Sequence, residues 1–219
     1  MYYSSTEENY IKVIYHLSSQ NQEASTNAIA EIVQTRPASV SDMLRKLSEK
    51  NLVNYVKYKG VSLTEKGQKA ALYIIRKHRL WEVFLVEKLK FSWEEVHEVA
   101  EQLEHIDSNL LIKRLDDFLG HPTHDPHGDP IPNEKGEMPT HEHHVLSDLS
   151  NQTKGIVRAV KDDSPSFLRY LNKVGIYIGA SIQILEKIEF DGSMEISLDE
   201  HKSIIISGGV SQNILVELA

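Results

Sequence analysis

The sequence predicts a mainly α-helical chain that ends in a small β domain. Three observations predict it. The N-terminal part combines helix-spaced apolar residues with one basic two-stranded ribbon. The middle carries imidazoles and carboxylates at helical spacing. The last part breaks into short apolar runs separated by turn residues.

Glu7 to Leu17 reads as a helix, with Tyr10, Ile14 and Leu17 on one face. Ser25-Thr26-Asn27 supplies cap-type residues for a short helix over residues 28–33. Gln34-Thr35-Arg36 reads as a turn, and Pro37 suits the first turn of the next helix. That helix carries Val40, Met43, Leu44 and Leu47 at core spacing. Leu52 to Val56 reads as a strand, Lys57-Tyr58-Lys59-Gly60 as a basic turn, and Val61-Ser62-Leu63 as the return strand. Helix, short helix, turn, helix and basic ribbon are the parts of a winged helix-turn-helix. The second helix of the pair would enter a major groove, bringing Arg36, Pro37, Ala38, Ser39, Ser41, Asp42, Arg45 and Lys46 to DNA. Lys57 and Lys59 would hold phosphates, which add affinity but little sequence information. A helical domain with an ordinary hairpin is the plainer alternative.

Thr64 caps a long helix over residues 65–87. Ser92 caps another, from Glu94 to Leu103 and beyond, and a third runs from Asp107 to Leu119. Leu89, Phe91, Trp93, Leu110, Leu111, Leu115 and Phe118 divide between core and a dimer face. Residues 120–144 hold five of the seven prolines and six of the eleven histidines, which marks a loop. From Thr153 on, strands are expected over residues 156–160, 181–188, 194–198, 203–207 and 214–218, with a short helix over 166–173; this pattern suggests a small barrel. Ser207-Gly208-Gly209 reads as a turn. The domain expectation is residues 1–72 for the DNA-binding part, 73–146 for the helical body with its His/Pro-rich loop, and 153–219 for the β domain.

Charge follows this division. Residues 1–80 hold 12 Lys+Arg against 7 Asp+Glu; residues 81–219 hold 12 against 25. A basic head and an acidic remainder fit a DNA reader joined to a cation-binding body. The absence of cysteine excludes disulfides, Fe–S clusters and Cys-type zinc sites. The N-terminus lacks a signal pattern and no run reaches membrane-span length, so a cytoplasmic protein with no membrane partner is expected.

The chemistry concentrates in His78, Glu82, His97, Glu101, Glu104 and His105. His78 and Glu82 stand four apart, and His97, Glu101 and His105 follow at steps of four, so each row shares a helix face. Nitrogen and oxygen donors without thiolate suit Mn²⁺, Fe²⁺ or Zn²⁺. Enzyme readings lack support, since there is no His-Glu-x-x-His run, no phosphate-binding Gly-rich loop and no thiol.

These segments together resemble the diphtheria toxin repressor and manganese transport regulator family of metal-dependent repressors. The resemblance rests on the first-helix pattern of residues 8–15 and the reading helix of residues 37–44. It rests also on the wing of residues 60–67, the stretches around His78 and His97–His105, and the loop of residues 125–132. It implies a primary metal site of His78, Glu101, Glu104 and His105, joined from the first helix by Asn9, with Glu8 as a substitute. It implies an ancillary site of Glu82, His97, Asp125 and His127, completed by a carboxylate at Asp162 or Asp163, the latter preferred. His121, His124, His141, His143, His144 and Asp129 read as polar loop. Glu101 stands where iron-responsive members often have Cys, which tilts the expectation toward Mn²⁺ over Fe²⁺, with Zn²⁺ binding in vitro. The resemblance also implies an SH3-like (FeoA-like) C-terminal domain. In function it implies a homodimeric repressor of metal uptake genes that binds palindromic operator DNA when its metal co-repressor is bound. Two alternatives stand beside it: a winged-helix regulator of a non-metal ligand, and a metal-dependent enzyme or metal-buffering protein.

Overall fold

Helix α1 (Ser5–Ser19) begins at a reciprocal cap. The Glu7 amide donates to Ser4 Oγ at 3.3 Å, and the Ser4 amide donates to Glu7 Oε2 at 3.0 Å. The computed structural model that shows this describes residues 3–19, 24–56, 60–139 and 142–218. Helix α2 (Thr26–Ile32) starts at Ser25, whose Oγ accepts the Ala28 amide, and α3 (Pro37–Glu49) starts with proline at its first position. Tyr10, Ile11 and Ile14 of α1, Ile29 of α2 and Val40, Leu44 and Leu47 of α3 are buried in one core. The hairpin of β1 (Val53–Tyr55) and β2 (Val61–Leu63) is antiparallel, Val53 opposite Leu63. Lys57 and Lys59 lie outside the described residues.

Helix α4 (Glu65–Glu87) is capped by Thr64, whose Oγ1 accepts the Gly67 amide at 3.0 Å. A Cβ at Gly67 would stand 1.9 Å from the Leu52 carbonyl oxygen, so only glycine lets the helix start this close to the chain entering β1. Helix α5 (Val96–Leu103) is shorter than expected at both ends, and Glu104 and His105 fall in the turn after it. The expected row His97, Glu101, His105 is therefore not one helix face. Helix α6 (Asn109–Leu119) follows, with the Leu111 amide donating to Ser108 Oγ. Leu115 is buried, whereas Leu110, Leu111 and Phe118 are exposed.

The described chain divides into two compact units. The first runs through His78 and takes in Glu101–Arg114 and Pro132–Met138; the second holds Arg79–Ala100, Leu115–Ile131 and the chain from Pro139 on.

In the second unit, β3 (His144–Val145), β4 (Lys154–Val160), β5 (Ser181–Lys187), β6 (Met194–Leu198), β7 (Lys202–Ile206) and β8 (Ile214–Leu218) form one antiparallel sheet in the order β3-β8-β4-β5-β6-β7. Register shifts between Val157 and Ala159 and between Ile184 and Glu186 mark bulges, which bend a sheet around its core. Helix α7 (Pro165–Val174) contributes Leu168 and Leu171 to that core, and ends at Gly175, where φ of 94° forms a left-handed cap. The expected turn at Ser207 is instead the cap of a one-turn helix, α8 (Gly208–Ser211): Ser207 Oγ accepts the Val210 amide. Two glycines of low helix propensity concealed it. Strand β3 is two residues long and has no periodicity to read.

Candidate metal centres and DNA-reading helix

In the first unit, α1, the middle of α4 and the segment after α5 bring charged side chains into the interior. Glu104 is fully buried. Its Oε2 lies 2.6 Å from His78 Nδ1 and its Oε1 2.6 Å from Lys12 Nζ. The same ammonium lies 3.7 Å from Glu101 Oε1. Burial opposes the charge on Glu104, but the His78 hydrogen bond and the Lys12 ammonium outweigh it and hold the carboxyl below its usual range. His105 Nδ1 sits 2.6 Å from Glu8 Oε2, and Glu8 Oε1 accepts from the buried Lys77 at 3.1 Å. A carboxylate only accepts, so neutral His105 carries its proton on Nδ1 and presents the Nε2 lone pair, 3.9 Å from Glu104 Oε1. Glu8 thus orients a ligand-type imidazole from behind, as partners of metal-bound histidines do.

Asn9 tests whether this set suits a metal. Its Oδ1 is buried without a hydrogen-bond partner, and it lines the same cavity as Lys12 and Glu101. An orphaned amide oxygen is costly unless a cation or water occupies the space before it. Glu101 lines that cavity too, Lys12 joins it to Glu104, and Glu104 Oε1 faces His105 Nε2; donors of these types could hold a hard or borderline divalent ion.

The second unit holds another cluster. Glu82, Asp125 and His127 are all buried, and one ligand atom from each lies within 4.8 Å of the others. His97 Nδ1 lies 3.5 Å from Glu82 Oε1, and His127 Nδ1 lies 3.9 Å from Glu82 Oε2. His127 Nε2 contacts the Trp93 carbonyl at 2.7 Å. A carbonyl only accepts, so a neutral ring is protonated at Nε2 and leaves its lone pair on Nδ1, on the Glu82 side. The Trp93 ring stacks on His127 at 6.2 Å. The loop is fixed by Asp125 Oδ1, which accepts the amides of His127 at 2.8 Å and Asp129 at 3.0 Å. Gly128, with φ of 88°, lies so close to β4 that a Cβ would stand 1.8 Å from the Arg158 carbonyl oxygen. Burial, then the carboxylates of Glu82 and Asp129, push the Asp125 carboxyl well above the usual range despite Arg79 Nε at 3.4 Å. Two buried carboxylates in one place fit a cation.

The sequence set and the structure differ in places. Asp163 is exposed and belongs to no ligand cluster among the described residues; Asp162 accepts the Ser164 amide at 2.9 Å and so shapes the start of α7. Asp129 pairs with Arg79 at 2.9 Å. The cations Lys12 and Lys77 were not legible as site residues from composition. The signal was spacing: Lys12 lies three and four residues from Asn9 and Glu8, on one face of α1.

On α3 the apolar positions face the core and leave Arg36, Pro37, Ala38, Ser39, Asp42, Arg45 and Lys46 exposed. Ser41 is half-buried and donates to the Pro37 carbonyl, and Asp42 pairs with Arg45 at 2.8 Å. The N-terminal end of α3 is thus a polar, solvent-facing surface on a fixed helix.

Comparison with known proteins adds to this geometry. Residues 3–61 match the iron dependent repressor N-terminal DNA binding domain, residues 64–133 the iron dependent repressor metal binding and dimerisation domain, and residues 144–218 the FeoA domain. The C-terminal sheet is therefore of the small SH3-like type. The iron-dependent repressor IdeR of Mycobacterium tuberculosis is 35% identical over 127 residues, a stretch covering 58% of this chain and 55% of that protein's own length. The HTH-type transcriptional regulator MntR of Oceanobacillus iheyensis is 35% identical over 114 residues, 52% of this chain and 77% of that protein. A solved manganese-dependent transcriptional repressor in complex with manganese superposes with a TM-score of 0.86 at 35% identity, covering 97% of this chain and 100% of its own. With an exposed polar helix, two clusters of ligand-type side chains and these likenesses over nearly its whole length, the chain belongs to the iron-dependent repressor family, which includes the diphtheria toxin repressor and the manganese transport regulators.

Proposed function

We propose that this protein is a transcriptional repressor whose DNA binding is switched on by a divalent metal, Mn²⁺ or Fe²⁺. The observation that carries the proposal is the buried, unpartnered Asn9 Oδ1, which lines one cavity with Glu101 and with the Lys12 that pairs with Glu104. Asn9 lies on α1, which shares its core with the reading helix α3. Asn9, Glu101, Glu104 and His105 form the first donor set, with His78 bonded to Glu104. Glu82, Asp125 and His127, with His97 beside them, form the second.

A bound divalent ion would supply a fixed double positive charge that lets the converging carboxylates stay ionised in a dry site. The residues do the rest. Through such an ion Asn9 would tie α1 to the segment carrying Glu104 and His105, and Glu8 holds the His105 ring in its donor tautomer. A fixed α1 fixes α3. Two copies paired through the exposed Leu110, Leu111 and Phe118 of α6 then hold two reading helices at one separation, which selects a palindromic operator. Without this tie, fewer molecules hold that separation, and apparent affinity falls with the competent fraction. Genes for metal uptake are the targets this logic serves. No part of the arrangement calls for catalysis. Among the described residues no helix is long and apolar enough to cross a membrane.

The test is fluorescence anisotropy of the full chain on its own promoter DNA, first in chelator and then with Mn²⁺, Fe²⁺ without oxygen, or Zn²⁺. Tight binding with metal only is expected, and the order of activation ranks the ions. Equal binding in chelator rejects metal as the switch.

A further inference from the structure

We infer that the Lys12 ammonium is a built-in counter-cation of the first donor set, which a divalent ion must displace into the adjoining cavity. The inference rests on the reading of that set as a metal site and adds a competitor within it. Lys12 Nζ lies 2.6 Å from Glu104 Oε1 and 3.7 Å from Glu101 Oε1, and the side chain is 13% exposed. It stands between the two carboxylates that would hold the ion. An ammonium and a divalent ion within a few ångströms repel strongly in so poorly solvated a place. One must leave. Lys77 is different: it pairs with Glu8, which only orients His105, so it can stay.

Lys12 has somewhere to go. A cavity of 370 Å³ adjoins it, walled by Val13, Ile32 and Val33 and edged by Thr6 and Thr35. A lysine can lay its methylene stem along such apolar side chains while its charge reaches water or hydroxyl groups. Ile32, Val33 and Thr35 belong to α2 and the turn that leads into α3. The displaced ammonium would therefore add positive charge just ahead of Arg36, at the end of the helix that meets DNA phosphates. Metal occupancy and DNA affinity then share one moving charge, and each must strengthen the other by the same factor.

The experiment measures Mn²⁺ affinity of the full-length protein by competition with a fluorescent chelator, in an Asp125→Asn background that silences the second donor set. Lys12→Met keeps the stem and removes the charge; it is expected to tighten Mn²⁺ binding by about tenfold or more. Lys12→Arg keeps the charge and is expected to bind no tighter than the parent. Glu104→Gln should lose Mn²⁺ at this set. Unchanged or weaker binding by Lys12→Met, with Glu104→Gln inactive, overturns the displacement while leaving the metal site standing. Full Mn²⁺ affinity in Glu104→Gln overturns the site itself. Val13→Phe fills the cavity, and is expected to weaken Mn²⁺ binding in the parent but not in Lys12→Met; an equal effect in both rejects the cavity as the destination. Should Lys12→Met not fold in chelator, its Mn²⁺-driven folding is read by circular dichroism. Folding at less Mn²⁺ than the parent needs for binding supports the inference, and a need for more contradicts it.

Discussion

Glu104→Gln puts a magnitude on the first donor set. Glutamine preserves shape and one acceptor but removes the charge. The wild-type carboxylate is 0% exposed and meets both His78 Nδ1 and Lys12 Nζ at 2.6 Å. Removing one partner of a buried pair costs about 3–5 kcal/mol, because the other charge is left uncompensated. Here Glu101, half exposed and 3.7 Å from the same ammonium, takes over part of the pairing, which places the cost near the lower end. About 3 kcal/mol in a chain of this size corresponds to roughly 6–12 °C in melting temperature. Calorimetric melts in chelator should show that drop. Added Mn²⁺ should act in the opposite sense on wild type, stabilising it by about 2.7 kcal/mol per site at one hundred times Kd. The variant should lose the first set's share of that gain and, in the anisotropy assay, the metal-stimulated DNA binding. A Glu104→Gln protein that melts higher than wild type in chelator would mean that the buried carboxylate is a net burden and its pairing weak. Wild-type stimulation by Mn²⁺ would remove Glu104 from the ligands.

Asp125→Asn should behave oppositely in chelator. It relieves the repulsion from buried Glu82, so the metal-free variant should melt at or above wild type while gaining less from Mn²⁺; a marked loss of stability in chelator would show that Arg79 already compensates the charge. Gly128→Ala meets the Arg158 carbonyl and a φ of 88°, so it should destabilise by about 1–3 kcal/mol or more and weaken the second set without touching any ligand; a neutral melt refutes the tight fit of loop on β4. The head should also be acid-sensitive through Glu7. Burial opposes its charge, but Lys50 Nζ at 2.5 Å and the Ser4 amide outweigh it, so its folded pKa lies below the usual 4.5. A depressed carboxyl stabilises fully above the unfolded value and loses that contribution as pH falls through the folded one. Glu7→Gln should therefore cost stability at pH 7 and progressively less as pH falls through the depressed folded value, and a pH-independent difference would refute the pairing.

Much of this was legible in the sequence because local rules act alone there. Proline at the start of α3, Thr64 before α4 and the spacing of Val40, Leu44 and Leu47 each specify an element without help from elsewhere. The donor residues were legible as types. Their grouping was not, because it depends on where helices stop. Steps of four suggested one face carrying His97, Glu101 and His105, yet α5 ends at Leu103 and the following turn places His105 Nδ1 on Glu8, ninety-seven residues away in the chain. The roles of Lys77 and the Trp93 carbonyl depend on tertiary contact alone, and for Lys12 only its spacing from Glu8 and Asn9 on α1 gave a sign. A backbone carbonyl leaves no mark in a sequence, and a lysine in a basic head looks like a DNA contact.

The two donor sets also handle their charge differently. In the first, Glu104 is balanced by Lys12 and His78, and its carboxyl stays ionised without metal. In the second, the Asp125 carboxyl is pushed up by burial and by Glu82, with Arg79 shared between it and Asp129. The first set exchanges one cation for another, so its net metal affinity is the ion's attraction less that of the ammonium. The second has a surplus of negative charge and resists ionisation until a cation arrives, so its binding releases a proton wherever Asp125 is still protonated. Lowering the pH should thus weaken the second set through Asp125 before protonation of Glu104 affects the first. Mn²⁺ titrations of Asp125→Asn and Glu104→Gln at successive pH values separate the two. A common pH dependence would show that the difference in charge balance does not govern metal binding.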